Sequence, residues 1–140
     1  MGKSLITVRG KVSAHRRIQY LEDECREISR RMYQVVVEFK DTMTSPRHLT
    51  LSVQKVRSGT LYLRWRRNGT EAEQEYIHFS FPKGQAFLSM LSSDIRTVYL
   101  HYNRLALDLT LAHSMRMNEI RRLRQYVRDL EGIGLRPLNN

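Results

Sequence analysis

The sequence predicts an α+β fold in which two long helices flank a three-stranded antiparallel β-meander, in the order α-β-β-β-α. Apolar residues recur in a heptad pattern in both halves of the chain, which is typical of helices that pack along a seam. Between these halves the spacing changes to strict alternation, which indicates strands. The chain has 140 residues. That length suits one core, so we expect a single basic domain over residues 1–140.

The first helix is expected at about residues 13–43. Its apolar positions alternate steps of four and three residues without a break from Ala14 to Phe39. Ser13 stands before them as a candidate N-cap, and Thr44-Ser45-Pro46 supplies the stop, because proline disfavours helix at the preceding residue. The seam consists of Ala14, Ile18, Leu21, Cys25, Ile28, Met32, Val35 and Phe39.

Three strands are expected at about residues 48–56, 60–67 and 75–81. Asn68-Gly69 between the second and third runs is the usual sequence of a tight type I′ turn. Alternation gives each strand one apolar face. The residues expected to point inward are Leu49, Leu51 and Val53, then Leu61, Leu63 and Trp65, then Ile77, Phe79 and Phe81.

The second helix is expected at about residues 85–131, ending before Gly132 and Gly134. Its seam is interrupted at Arg116 and Glu119 and resumes at Leu123. Alternatively, Ser92-Ser93-Asp94 caps a long helix that begins later, and the segment from Gln85 to Leu91 is a separate turn. The uninterrupted seam consists of Leu88, Leu91, Ile95, Val98, Tyr102, Leu105, Leu109 and Ala112.

The two seams have similar lengths, which favours an antiparallel hairpin of helices. Such a hairpin would pair Phe39 with Leu88 and Ala14 with Ala112. The helix from Arg116 onward would then project beyond its partner or meet residues 5–12. In a second arrangement both helices cross one face of the sheet, and in a third the seams form a dimer interface. The pattern leaves these alternatives, and a monomer or a homodimer, open.

The chain is strongly basic, with 24 Lys and Arg against 14 Asp and Glu and a formal net charge of +10. Nineteen of the basic residues are arginine, whose planar fork suits phosphate and guanine. An acidic protein partner would favour the same balance. No signal peptide or membrane span is visible, and the lone Cys25 suits a reducing compartment, so we expect a cytoplasmic protein without a membrane partner.

No constellation in the sequence predicts catalysis. Cys25 and the histidines His15, His48, His78, His101 and His113 lack metal-ligand spacing. Asp94 and Asp108 stand on a basic helix, where a carboxylate pair is more often an ion-pair partner than a general acid and base. We therefore expect a protein that is not an enzyme and that needs no cofactor or metal.

The polar face of the sheet is the first candidate binding surface. If Trp65 points inward, then Tyr62, Arg64 and Arg66 point outward. This face could stack on unpaired bases, or the hairpin with Arg64, Arg66 and Arg67 could enter a major groove as a two-stranded ribbon. The alternative is an ordinary antiparallel sheet with its second face in water.

The basic end of the second helix is the other candidate. Arg121, Arg124 and Arg128 share a helical face and, with Arg122, could track phosphates. The alternative is a solvated helix end whose cations complement the C-terminal dipole.

The order of a long helix, an arginine-rich meander carrying GTLYLRWRRNG at 59–69 and a long basic helix resembles the small MobI-type accessory proteins of conjugative elements. The resemblance covers size and layout, and it implies binding at a transfer origin beside a relaxase. We therefore expect a non-enzymatic, DNA-binding accessory protein of a conjugative or other mobile element. The alternative is an adaptor or inhibitor of phage or mobile-element origin that binds an acidic protein.

Overall fold

The computed structural model describes residues 8–44, 48–67 and 75–134. The element order confirms the predicted α+β fold, with the second helical region divided in two. The elements are α1 Gly10–Thr42, β1 Leu49–Lys55, β2 Leu61–Arg67, β3 Tyr76–Ile77, α2 Pro82–Ser89 and α3 Ser93–Gly134.

The predicted seam of α1 is confirmed, since all its members are buried except Ile28, which is half-buried. The predicted N-cap is wrong. The helix begins at Gly10, after Arg9, which offers no side-chain cap. Instead, the hydroxyl of Tyr126 in α3 accepts the Gly10 N–H at 2.9 Å. Ser13 lies inside the helix, and a tertiary contact satisfies the N–H of the first helical residue.

The strands form one antiparallel sheet in the order β1-β2-β3. β1 and β2 pair over seven residues, from Leu49 opposite Arg67 to Lys55 opposite Leu61. As expected from the alternation, Leu51, Leu63 and Trp65 are buried. The predicted Asn68-Gly69 turn lies outside the described residues.

The third strand is shorter than predicted, and the predicted strand over 75–81 is wrong in its second half. Phe81 donates its N–H to the carbonyl of His78 at 3.1 Å, so the chain turns directly after Ile77. Helix α2 then packs its first turn on that backbone, where a Cβ at Gly84 would lie 2.0 Å from the His78 oxygen. Consequently Phe81 points into solvent and is 59% exposed.

A single helix over 85–131 is also wrong, and the alternative of a later helix start is confirmed. The Ser92 Oγ accepts the N–H of Ile95 at 3.4 Å, which caps α3. The guanidinium of Arg96 donates to the carbonyls of Leu88 and Leu91, both at 2.9 Å. These bonds hold the corner between α2 and α3.

Helices α1 and α3 pack antiparallel, but further along α3 than predicted. The ring of Phe39 lies 5.5 Å from Tyr99 and 5.4 Å from Tyr102, rather than against Leu88. Because α2 is a separate helix, the pairing begins beyond the corner. The buried residues of α3 are Tyr99, Tyr102, Ala106, His113, Ile120 and Val127.

The part of α3 beyond Ala112 therefore packs on α1 rather than projecting. At this end Ile18, Leu21 and Cys25 form a cluster with Ile120. Arg116 and Glu119, predicted to interrupt the seam, flank it in ion pairs that link the two helices. The inter-helix pairs here are Arg116–Glu24 at 2.9 Å, Arg17–Glu119 at 2.8 Å and Arg124–Glu22 at 2.6 Å.

The sheet lies across the helix pair, with β1 against α1 and β2 against α3. Trp65 lies in the core that the sheet shares with the helices. Its ring centroid is 5.0 Å from that of Phe39 and 5.1 Å from that of Phe79, on which it stacks. The helical hairpin and the packing on one sheet face, which the sequence left as alternatives, thus occur together.

The predicted seam of the second helix is confirmed only in part. Tyr102 is buried and Leu105 and Leu109 are partly buried against the core, but Ile95 is 39% exposed.

Helix α3 closes the edge of β2 beyond the short β3. Leu61 donates its N–H to Nδ1 of His113 at 3.1 Å, and Leu63 donates its N–H to Oγ1 of Thr110 at 3.0 Å. Side chains thus pair two strand donors that β3 does not reach. Burial lowers the pKa of His113, which keeps this imidazole in the neutral form that can accept the bond.

Candidate nucleic-acid interface

The outer face of the sheet is polar and aromatic, as the alternation predicts. Cross-strand register places Arg64 opposite Ser52 and Tyr62 opposite Gln54. All of these side chains are half-buried by one another. The outer face comprises Thr50, Ser52, Gln54, Tyr62, Arg64, Arg66 and Tyr76.

Arg64 lies over two tyrosine rings at the centre of this face. Its guanidinium carbon is 4.5 Å from the ring centroid of Tyr62 and 5.3 Å from that of Tyr76. Its Nη1 also donates to Oε1 of Gln54 at 2.6 Å. These contacts hold the guanidinium along the sheet surface rather than extended away from it. The guanidinium and the two rings are thus held together by cation–π contacts on the outer face.

Arg66 and Arg67 differ in their partners. Arg67 donates to the Glu75 carboxylate at 2.9 Å, and Lys83 donates to the same carboxylate. The hydrogen bonds and charges of Lys83 and Arg67 lower the pKa of Glu75. Within the described ranges, Arg66 makes no ion pair. Of the three hairpin arginines predicted to bind, Arg67 is therefore paired with a carboxylate, whereas Arg64 and Arg66 are not paired with one among the described residues.

The predicted helix-end arginines are similarly divided. Arg124 is held by Glu22 of α1, and Arg128 donates to the neutral amide of Gln125 at 2.7 Å. Arg121 and Arg122 are exposed and have no ion-pair partner in the part of the chain that the structure describes. Three of the four thus retain an unpaired charge.

The structure brings the two predicted surfaces together through the β1–β2 turn. Gly59 of this turn has a φ of 91° and lies on α3, where an added Cβ would be 3.2 Å from Cε of Met117. Arg121 follows Met117 by one helical turn on the same face. The sheet therefore ends where the basic row of α3 begins.

Sequence reasoning missed two basic residues at this junction. Lys55 ends β1 and Arg57 lies in the turn, and both are exposed. No ion pair involves either of them among residues 8–44, 48–67 and 75–134. The sequence predicts the end of a strand and a turn here, but only the structure shows that Gly59 of this turn packs on Met117, one helical turn before Arg121.

The distribution of ion pairs concentrates the excess charge. Most acidic residues lie on the helix pair and bind cations there, so the unpaired cations lie mainly on the sheet, in the β1–β2 turn and near the end of α3. Among the described residues, the cations of the sheet, turn and α3 end that lack an ion pair are Lys55, Arg57, Arg64, Arg66, Arg121, Arg122 and Arg128. Arg9 before α1, Arg16 on α1 and Arg96 at the α2–α3 corner also lack one.

Comparison with known proteins finds no significant match to a family model, a curated protein or a solved structure. In the described ranges, no group of three or more His, Cys, Asp or Glu side chains is arranged to hold a metal ion. No helix of the described part combines the length and apolar character needed to cross a membrane.

Proposed function

We propose that the chain is a non-enzymatic nucleic-acid-binding accessory protein whose ligand is DNA. The observation that carries this proposal is the outer sheet face, where Arg64 lies over the rings of Tyr62 and Tyr76 and neither Arg64 nor Arg66 has an ion-pair partner among the described residues. Guanidinium and aromatic planes of this kind stack on bases, and unpaired cations attract phosphates.

The geometry favours stacking over insertion of the hairpin into a groove. Arg64 is held along the sheet by the two rings and by Gln54. It would have to leave these contacts to reach a base edge in a major groove. A base that stacks on the face keeps them. Each stacked base contributes about 1–3 kcal/mol in proteins that use such platforms.

The basic residues beside the face extend the proposed path. A strand crossing the sheet would leave it near Arg57 and meet Arg121 on α3. Contacts from Arg121, Arg122 and Arg128 to phosphates would position the strand without reading its sequence. We propose that the sheet face binds bases and that the helix end binds backbone.

The biological setting is proposed from the resemblance to MobI-type accessory proteins. It would be the cytoplasm, at a transfer origin, with a relaxase as protein partner. The lone Cys25 suits that compartment. It is buried, and burial raises the pKa of its thiol.

The direct test is fluorescence anisotropy with labelled single-stranded DNA, duplex DNA and RNA at about 50 mM salt, where phosphate contacts are strongest. We expect binding that is tightest to single-stranded DNA and that weakens steeply by about 200 mM salt, because phosphate contacts release counterions. Absence of binding to all three ligands at the lower salt would overturn the proposal.

An adaptor that binds an acidic protein is the second candidate. The observation that favours a protein partner is an exposed apolar stripe on α3, formed by Leu100, Leu107, Leu111 and Met115. Exposed apolar stripes of this kind mark protein interfaces. If this candidate is right, a pull-down from nuclease-treated lysate will retain a partner, and Leu107→Glu will lose it while Asn118→Glu on the same helix will not.

A further inference from the structure

The outer edge of β1 carries backbone groups that have no partner among residues 8–44, 48–67 and 75–134. Val56 donates to the Thr60 carbonyl at 3.0 Å, and Leu61 and Leu63 direct their N–H groups to α3. In the observed register, the even-numbered residues of β1 therefore bond to β2. The odd-numbered residues Leu51, Val53 and Lys55 direct their N–H and C=O groups away from it. No described residue bonds to these groups.

The two edges of the sheet are treated differently. His113 and Thr110 close the β2 edge. The β1 strand itself contains no proline or bulge, its only charge is Lys55 at the end, and no described residue bonds to its outer edge. An unprotected edge of seven residues is a template for another strand.

We propose that the β1 edge binds the β1 edge of a second copy of this chain, antiparallel about a two-fold axis. The strand is self-complementary. With Ser52 on the axis, all of residues 49–55 are paired. Thr50 then faces Gln54 of the second copy, and Leu51 faces its Val53. Polar side chains therefore pair on the outer face of the sheet and apolar side chains pair on the inner face. Lys55 lies opposite Leu49, so no like charges meet.

The pairing would join two three-stranded sheets into one of six strands. The outer faces would become one surface, with the two Arg64–Tyr62 groups related by the axis. The two β2 strands would stand three strand spacings apart, roughly 14 Å. The proposal does not depend on nucleic-acid binding, because it rests on the strand edge alone.

Light scattering on the full chain tests the proposal first. We expect twice the chain mass of 16.6 kDa at micromolar concentration. Val53→Pro removes an N–H that β2 does not use, so it should leave the circular dichroism unchanged and yield a monomer. Val53→Ala, which keeps the N–H, should remain a dimer. A monomeric wild-type protein would overturn the proposal.

Oxidative cross-linking locates the axis and does not depend on how well the proline variant folds. Ser52→Cys should cross-link to its own copy, because residues opposite each other on the axis lie within disulfide reach. Thr50→Cys should not, since it would lie opposite position 54. The wild type, with only the buried Cys25, is the matched control. A dimer in which Ser52→Cys fails to cross-link would contradict the proposed axis.

Discussion

Leu61 of the sheet donates its backbone N–H to Nδ1 of His113 in α3 at 3.1 Å. His113 is 4% exposed and lies on the face of α3 that meets β2. The bond requires a neutral imidazole, since a protonated Nδ1 has no lone pair to accept the N–H. One of the hydrogen bonds that attach the sheet to α3 therefore depends on the protonation state of a buried side chain.

This bond predicts a loss of stability in mild acid. Burial lowers the pKa of His113 below its ordinary value of 6.5. Below that value the unfolded chain binds a proton that the folded protein does not, so the unfolding free energy falls as the pH drops through and below about 6.5. Urea unfolding between pH 8 and pH 5 measures this. His113→Gln should flatten the dependence, whereas the exposed His101→Gln should leave it unchanged.

Gly84 is predicted to tolerate no side chain. A Cβ there would lie 2.0 Å from the backbone oxygen of His78, and a backbone atom cannot move aside cheaply. Gly84→Ala should therefore lower the unfolding free energy by about 1–3 kcal/mol or more. Gly132→Ala is the matched control, because its Cβ meets nothing within 4 Å. The control should be neutral or slightly stabilising, and equal effects of the two changes would show that the contact is not tight.

The arginines near the end of α3 are predicted to contribute phosphate contacts to DNA binding rather than contacts to bases. Arg121→Gln and Arg128→Gln should each weaken single-stranded DNA binding and reduce the slope of log K against log salt by about 0.7. Arg26→Gln removes an exposed arginine that is paired with Asp23 on α1 and serves as the control. Unchanged slopes for both α3 variants would exclude this row from the interface.

Cys25 is predicted to react slowly in the folded protein. It lies in the α1–α3 seam, and burial raises the pKa of its thiol, so little reactive thiolate is present. Ellman's reagent should label it slowly in buffer and rapidly in denaturant. Rapid labelling of the native protein would mean that the α1–α3 contact opens near Ile120.

The elements of this fold could be predicted because they depend on local periodicity. The seam of α1 and the alternation of β2 each report which face is buried. The register of α1 against α3 could not be predicted, because two heptad seams can be aligned with each other in several ways. The choice depended on the break at Ser92, on Arg96 holding the corner, and on ion pairs such as Arg17–Glu119.

The candidate site was predictable in part for the same reason. Alternation placed Tyr62, Arg64 and Arg66 on the outer face. It could not show that Glu75 binds Arg67 or that Glu22 binds Arg124, since those partners are 8 and 102 residues apart in the sequence. The packing of the β1–β2 turn on α3, where Gly59 lies against Met117, likewise could not be read from the sequence.

The central claim is that the sheet face stacks on bases, and Tyr62→Leu tests it most directly. Leucine keeps the apolar contact beneath Arg64 but removes the ring. By anisotropy at about 50 mM salt, we expect affinity for single-stranded DNA to fall by about 5- to 150-fold, with the salt slope unchanged. Tyr33→Leu, which changes an exposed tyrosine on α1, should bind as the wild type does. If the wild type binds and Tyr62→Leu binds equally well, the sheet face is not the binding surface.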